Sequence, residues 1–157
     1  MARILGGRRI IRMARYYAID EANAALRDVE PILAALRDQR AELIELRDQA
    51  VAEAPDGDAA PTDDAAEALR LLRLRMQGLI DQMQAGVVRL VDLDITLRDI
   101  ATGLIDFPAL LSGNHIWLCW RLGETEVGHW HRHDEGFGSR RPLADLPTGR
   151  SSGTPIA

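Results

Sequence analysis

The stretch HIWLCWRLGETEVGHWHRH, residues 115–133, decides how the C-terminal part of the chain folds. It is rich in residues that favour β-strands, and the segment GETE in its middle is typical of a turn. We predict a two-stranded β-hairpin in which Leu122 pairs with Val127. Because side chains alternate along a strand, six residues then share one face of the hairpin: Ile116, Leu118, Trp120, His129, His131 and His133. That face holds the most aliphatic residues, and we expect it to pack on helices.

Two segments upstream of this hairpin carry the apolar spacing of long helices. In residues 20–53, Asp20 is the expected N-cap, and small or aliphatic residues recur every three or four positions. A loop containing Pro and Gly follows, and a second helix begins near Thr62 or Asp64. Its apolar stripe continues to Leu97. Two long helices joined by a short loop pack as an antiparallel hairpin.

The segment LIDFPALLSGN, residues 104–114, contains a Pro and a Gly-Asn turn and is predicted to be a connector. The predicted fold class is therefore α+β and mainly α. It consists of a long antiparallel helical hairpin that the two-stranded β-hairpin caps at its open end.

Composition restricts the function classes. The chain has 157 residues and a net charge of −5, and all 19 basic residues are Arg. Without Lys, neither a Schiff-base lysine nor a phosphate-loop lysine is available. The single Cys119 excludes an internal disulfide and suits a reducing cytoplasm, where we expect the protein. No stretch approaches the length of a membrane span.

Charge is unevenly distributed along the chain. Residues 1–16 carry five Arg and no acid, and a basic arm of this kind could contact a membrane surface or nucleic acid. We interpret it instead as a flexible extension. The predicted organisation is a basic flexible arm (1–16), a single domain (17–145) and a flexible C-terminal tail (146–157). The acidic remainder disfavours a nucleic-acid partner.

Three histidines at alternate positions raise the question of a metal site. His129 and His131 could begin one, with His133, Asp134, Glu135 or His115 as a third ligand. However, His129 and His133 would lie roughly 13 Å apart along a strand, and no established zinc motif occurs. We therefore predict no cofactor and read His131 as a core histidine, with a metal on His129 and His131 as the alternative.

A buried imidazole needs partners for both ring nitrogens, and each group left unpaired costs roughly 1–3 kcal/mol. The predicted register places His131 opposite Leu118, over the apolar end of the second helix. Asp94 is the one acid in the apolar stripe of that helix, so we expect it to be the partner of His131. Asp106 is the substitute.

Four blocks carry a resemblance to a known family: YAIDEAN (17–23), GLIDFPAL (103–110), IWLCWRLGETEV (116–127) and WHRHDEGFGSRRPL (130–143). Together they resemble the uncharacterised prokaryotic family catalogued as domain of unknown function 2203, over roughly residues 17–143. That family has no established activity, so the resemblance implies a fold and a region of interest but no reaction.

The resemblance extends to particular residues. The positions that match the family pattern are Asp106, Phe107, Pro108, Trp120, Arg121, Glu124, Trp130, His131, Gly136, Phe137, Arg140 and Pro142. His129 and His133 do not correspond to histidines of that pattern, and Ser139 stands where the family usually has a second glycine. These departures weaken a three-histidine metal site and single out His131.

The candidate ligand or partner site consists of His131, Trp130, Arg121, Glu124, Trp120, Arg140, Phe137 and Asp106. Arg side chains beside aromatic rings suit recognition of a carboxylate, a phosphate or a base. The alternative is that Arg121 and Glu124 form an ion pair at the end of the hairpin and that the rings are core, which we prefer for most of them.

No complete catalytic motif occurs, and whether the protein is an enzyme stays open. The leading hypothesis is a non-catalytic cytoplasmic interaction or scaffold module in which the helical hairpin binds a protein partner or a second copy. The alternative is a small metal-dependent enzyme or ligand-binding protein centred on His131.

Overall fold

A computed structural model describes residues 13–147 of the chain. Two long helices come first, α1 (Ile19–Glu53) and α2 (Asp63–Asp92). An antiparallel sheet follows, in which the strands lie side by side in chain order. Its strands are β1 (Thr96–Asp99), β2 (Leu104–Leu111), β3 (Asn114–Arg121), β4 (His129–Arg132) and β5 (Arg141–Pro142). Short 3-10 helices, Phe137–Ser139 and Leu143–Asp145, flank β5.

The predicted α+β class with two long helices is confirmed. The predicted two-stranded cap is wrong, because the sheet within residues 13–147 has five strands. The predicted basic arm lies outside the described residues as far as residue 12, and the predicted C-terminal tail lies outside them from residue 148. Neither helix in the described part combines the length and the apolar composition that crossing a bilayer requires.

The helix starts follow local hydrogen bonds. The predicted N-cap Asp20 is wrong: the cap is Ala18, two residues earlier, and α1 begins at Ile19. The Glu21 side chain accepts a hydrogen bond from the Ala18 amide at 3.2 Å, which supplies the capping contact. At α2, Thr62 Oγ1 accepts from the Ala65 amide at 3.2 Å, so the earlier of the two predicted starts is confirmed.

The helical stripe that we predicted as far as Leu97 ends earlier. Asp94 adopts a φ of 57°, a left-handed conformation that an α-helix cannot accommodate. The Ile95 amide then bonds back to the Leu90 carbonyl at 3.0 Å, which closes the helix end. Leu97 lies in β1 and pairs with Ile105, so its apolar side chain is part of the sheet and not of the helix.

The predicted connector is the strand β2, which pairs with both β1 and β3. Pro108 is tolerated there because the pairing with β1 stops at Asp106, so the missing amide hydrogen leaves no gap in that ladder. The Pro108 carbonyl instead accepts a hydrogen bond from the Tyr17 amide at 2.8 Å. Beyond β2, Ser112 and Gly113 both have positive φ angles, as a two-residue hairpin turn requires.

The predicted register of the β3–β4 hairpin is wrong by one residue. Cys119 lies opposite His129, and Trp117 lies opposite His131. The loop between the strands is residues 122–128, an odd number, and not the symmetrical GETE turn. Three contacts shape it: the Trp120 indole donates to the Glu124 carbonyl at 3.1 Å, the Glu124 carboxylate accepts from the Arg121 amide at 2.8 Å, and the buried Val127 bonds to α1. A one-residue shift moves every side chain of β4 to the other face of the sheet.

We call the side of the sheet that packs on the helices the inner face, and the opposite side the outer face. The inner face carries the core residues Ile105, Phe107, Ala109, Ile116, Leu118, Trp120 and Trp130. They pack against buried residues of α1 between Ala22 and Leu36 and against Leu90 of α2. The outer face carries Asp106, Trp117, Cys119, His129 and His131. The expectation that the histidines face the helices is therefore wrong.

Candidate functional site

A cleft of about 350 Å³ lies on the outer face, between the sheet and the segment that follows β4. Its size is near the lower end of the range for small-molecule sites, roughly 300–1,000 Å³. The residues that line it are Arg98, Leu104, Asp106, Cys119, His131, His133, Asp134, Glu135, Gly136 and Phe137. The cleft therefore combines charged, sulfur-containing and apolar side chains in a small volume.

Three adjacent strands supply the buried groups of the cleft. Asp106 on β2 lies directly opposite Cys119 on β3. His131 lies on β4, two residues after His129, which is the residue opposite Cys119. Because all three side chains project from the outer face, they converge although they are distant in sequence. Their potential metal-ligating atoms lie within 4.8 Å of one another, and all three residues are buried.

Both ring nitrogens of His131 are engaged. Nδ1 lies 3.0 Å from the carbonyl oxygen of Arg132, and Nε2 lies 3.0 Å from Oδ2 of Asp106. A carbonyl only accepts, so Nδ1 carries a hydrogen and donates it. Nε2 and the carboxylate oxygen would then both be acceptors. A second proton, or another cation, must therefore lie between them. The expected partner Asp94 is wrong, since its carboxylate accepts from the Arg15 amide at 3.3 Å; the substitute, Asp106, is correct.

The two oxygens of Asp106 have different surroundings. Oδ2 accepts a hydrogen bond from Nε of Arg98 at 2.7 Å in addition to its contact with His131. Oδ1 is buried and has no hydrogen-bond partner among residues 13–147. A buried acceptor left without a partner costs about 1–3 kcal/mol. One oxygen of the carboxylate is thus satisfied, and the other is left without a partner among the described residues.

Cys119 is a buried free thiol beside this carboxylate. Burial, reinforced by the negative charge of Asp106, raises the pKa of the Cys119 thiol to about 12. The thiol is therefore neutral near pH 7. It is a weak hydrogen-bond donor whose contact with the Asp106 carboxylate also contributes to the raised pKa, although Oδ1 has no hydrogen-bond partner of normal geometry among the described residues.

Aromatic stacking and an ion pair hold the rim of the cleft. The Arg98 guanidinium lies 5.0 Å from the centre of the Trp117 ring, and that ring stacks on His133 at 5.2 Å. On the other side, Glu135 forms two hydrogen bonds to Arg141, at 2.8 and 3.0 Å. These bonds hold the pKa of the Glu135 carboxyl down at about 2. The segment over the cleft is thereby fixed to β5.

The structure brings only some of the predicted site residues together. His131, Asp106 and Phe137 line the cleft. Arg121, Glu124 and Arg140 form a neighbouring cluster around Phe137, in which Arg140 bonds to both oxygens of Glu124 at 2.8 and 2.9 Å. The ion pair of Glu124 is therefore with Arg140, whereas Arg121 contributes its backbone amide. Trp120 and Trp130 belong to the inner face.

The alternative metal pair, His129 and His131, is not the arrangement that the structure forms. His129 Nδ1 lies 3.3 Å from a Glu124 oxygen, and His129 is not in the group of candidate metal ligands found within the described residues. The sequence analysis missed Cys119 and Arg98. Had the loop after β3 been predicted with an odd number of residues, Cys119 would have been placed on the same face as His131. Arg98 was missed because α2 was predicted to extend past it.

The fold and the cleft define a class: an α+β protein with a helical hairpin on the inner face of a five-stranded antiparallel sheet and a buried Asp–His pair on its outer face. The chain belongs to the family described as "Uncharacterized conserved protein (DUF2203)", whose model matches residues 15–143. The resemblance seen in the sequence is thus confirmed, and the function of the family is unknown. No curated protein and no solved structure shows significant similarity to the chain.

Proposed function

We propose that this protein binds a small ligand in the outer-face cleft and that the ligand presents a cation or a hydrogen-bond donor to Asp106. The observation that carries the proposal is the buried Oδ1 atom, which has no partner among the described residues. Asp106 lines the cleft, and a buried acceptor of this kind is stabilised when a donor or a cation reaches it.

A purely structural role explains only part of this arrangement. The contacts of His131 with Arg132 and Asp106, and of Arg98 with Asp106, satisfy a buried imidazole and one carboxylate oxygen. A core that served stability alone would gain by satisfying the second oxygen as well. The cleft beside that oxygen supports a binding role in addition to the structural one.

NMR spectroscopy of the chain, ¹⁵N-labelled and kept in a chelator, tests the proposal. Small primary amines and amidines, each paired with its neutral analogue, serve as probes. We expect the charged probes to shift the amide signals of Cys119, His131 and Gly136, and the neutral analogues to shift them less. Asp106→Asn should weaken these shifts, whereas Glu126→Gln, at an exposed acid that does not line the cleft, should not. Charged probes that bind elsewhere, or bind equally well to Asp106→Asn, contradict the proposal.

A second candidate function is self-association through the helical hairpin. Four apolar side chains of α2 are more than half exposed: Leu71, Leu74, Val88 and Val91. Of these four, Val88 lines a groove of about 490 Å³ between the helices, and the other lining residues are almost all apolar, among them Leu43, Ile80 and Val87. Two helical hairpins that pack along such a groove form a four-helix bundle, so a second copy is the proposed partner.

Sedimentation equilibrium tests the second candidate. A dimer is expected, and Val88→Glu should convert it to a monomer. Leu110→Glu is the matched control, because Leu110 is also about half exposed but lies on β2. A monomer at every concentration contradicts self-association and leaves the proposal for the cleft untouched.

The buried free thiol further supports a reducing compartment such as the cytoplasm.

A further inference from the structure

We infer that Asp106 Oδ1, Cys119 Sγ and His131 Nε2 bind one divalent transition-metal ion, of the class of zinc, cobalt or iron. This inference deepens the proposed function and rests on it, since the ion would be the cationic group that reaches Asp106. Nitrogen, sulfur and oxygen donors in one site favour these ions, whereas magnesium and calcium prefer oxygen ligands alone.

The distances suit such an ion. Zinc bonds to nitrogen, oxygen and sulfur are about 2.0–2.3 Å long, so tetrahedral ligand atoms lie roughly 3.5 Å apart. Asp106, Cys119 and His131 each offer one ligand atom, and these atoms lie within 4.8 Å of one another on three neighbouring strands. Each pair of ligand atoms therefore has to approach by at most about 1.3 Å, which rotation of the side chains can supply.

The surroundings already orient the ligands. A histidine that binds a metal usually donates its other ring nitrogen to a carbonyl or a carboxylate, which fixes the tautomer. His131 does so through Nδ1, which donates to the Arg132 carbonyl at 3.0 Å, and Nε2 is left facing Asp106 and Cys119. Arg98 holds Oδ2 of Asp106 at 2.7 Å, so Oδ1 is the oxygen that remains available.

The exchange of protons for metal leaves the charge of the site unchanged. Without metal, one hydrogen lies between His131 and Asp106 and another lies on the Cys119 thiol. A divalent ion replaces both, and they leave to solvent as two protons. The four side chains, with Arg98 included, carry a net charge of +1 before binding, and the same side chains together with the ion carry +1 after it. Binding therefore adds no uncompensated charge to a buried site, which is the main obstacle to a metal in such a place.

Three protein ligands leave one position of a tetrahedral ion to a water molecule or a substrate, as in catalytic zinc sites. The cleft gives access to that position, and its walls include the apolar Leu104 and Phe137. The site has the ligand number of a metal centre that acts on a small molecule rather than that of a structural centre.

Titration with Co²⁺ tests the inference. The full chain, made without a histidine tag, is stripped with a chelator, dialysed and titrated with Co²⁺ alone. We expect one ion per chain, a thiolate-to-cobalt charge-transfer band, and loss of that band when Zn²⁺ is added. Cys119→Ser should remove the band. Asp106→Asn and His131→Gln should weaken binding at least tenfold, whereas His129→Gln, at a neighbouring histidine that does not line the cleft, should bind like wild type.

Several outcomes overturn the inference: less than half an ion bound per chain, a complex without the charge-transfer band, or binding that depends on His129 and not on His131. Circular dichroism of each variant identifies a failure to fold. If His131→Gln does not fold, the near-isosteric Cys119→Ser is the deciding variant, because its loss of the charge-transfer band tests the thiolate ligand. The amine probes are measured in chelator, so amine binding without cobalt binding refutes the metal and retains the proposed function. Cobalt binding without amine binding restricts the ligand to the ion.

Discussion

His131 Nε2 lies 3.0 Å from Asp106 Oδ2, and both side chains are almost completely buried, with relative exposures of 3% and 2%. The contact joins β4 to β2 across the strand between them, β3. Two strands that share no backbone hydrogen bonds are therefore held together by a side-chain pair on the outer face. The pair that joins these strands is also the centre of the proposed ligand site.

Replacement of His131 should destabilise the fold. His131→Ala leaves Asp106 buried with only Arg98 as its charged partner, and loss of one member of a buried pair costs about 3–5 kcal/mol. His129→Ala and His133→Ala should cost less, because these side chains are partly or largely exposed. Urea denaturation of the three variants in chelator measures the differences. A His131→Ala protein as stable as wild type contradicts the role of the pair.

The register of β4 predicts which tryptophan the core depends on. Trp130 lies on the inner face with 5% exposure, and Trp130→Ala should lower the free energy of unfolding by about 3–5 kcal/mol. Trp117, on the outer face, is partly exposed, and Trp117→Ala should cost clearly less. Thermal melts of both variants provide the test. The reverse order would restore the register in which Trp130 faces outward.

Gly103 should not tolerate a side chain. Its φ is 63°, and a Cβ atom there would overlap the side chain of Leu122. Gly113 has a φ of 78° but open space around it. Both substitutions to Ala carry the backbone cost of about 1–2 kcal/mol, and only Gly103→Ala adds the steric one. Chemical denaturation should therefore show a greater loss for Gly103→Ala than for Gly113→Ala; equal losses would mean that Leu122 moves aside freely.

The Glu135–Arg141 pair should make stability depend on acid. The pKa of Glu135 falls from 4.5 to about 2 in the folded protein, mainly through the hydrogen bonds from Arg141. A lowered carboxyl pKa stabilises the fold fully above about pH 4.5, and this contribution is lost as the pH falls toward 2. The difference in melting temperature between wild type and Glu135→Gln should shrink over that interval. A difference that stays constant contradicts the pair; Asp134→Asn, the neighbouring acid, is the control.

Local signals in the sequence were sufficient for the helices and the class of fold. Spacing of apolar residues found both helices, and Thr62 marked the start of α2. Two elements were hidden because their signals are ambiguous without the tertiary structure. Pro108 made β2 resemble a connector. A strand can contain this proline only because its pairing with β1 stops before Pro108, and the sequence does not show where that pairing stops. The apolar run after Leu90 continues the helical spacing, although the backbone turns at Asp94.

The site was predicted in part. Asp106 and His131 came from the sequence, and their pairing was foreseen as the substitute arrangement. Cys119 could not be joined to them because the face of a strand depends on the parity of the preceding loop. That parity follows from contacts of Trp120 and Glu124 within the loop, and from a bond between Val127 and Asn23 on a distant helix. No short-range pattern encodes the last of these.

The order of the strands has a consequence for how the chain folds. Each strand pairs with the next one along the chain, and the two helices are also sequential neighbours. Most loop closures are therefore short, a property of domains that fold quickly for their strand content. Among the hydrogen bonds of residues 13–147, the widest span in sequence lies between Asn23 on α1 and Val127 in the loop before β4, 104 residues apart. We expect the slow step to be the docking of the helical hairpin onto a sheet whose strands can pair before the helices arrive.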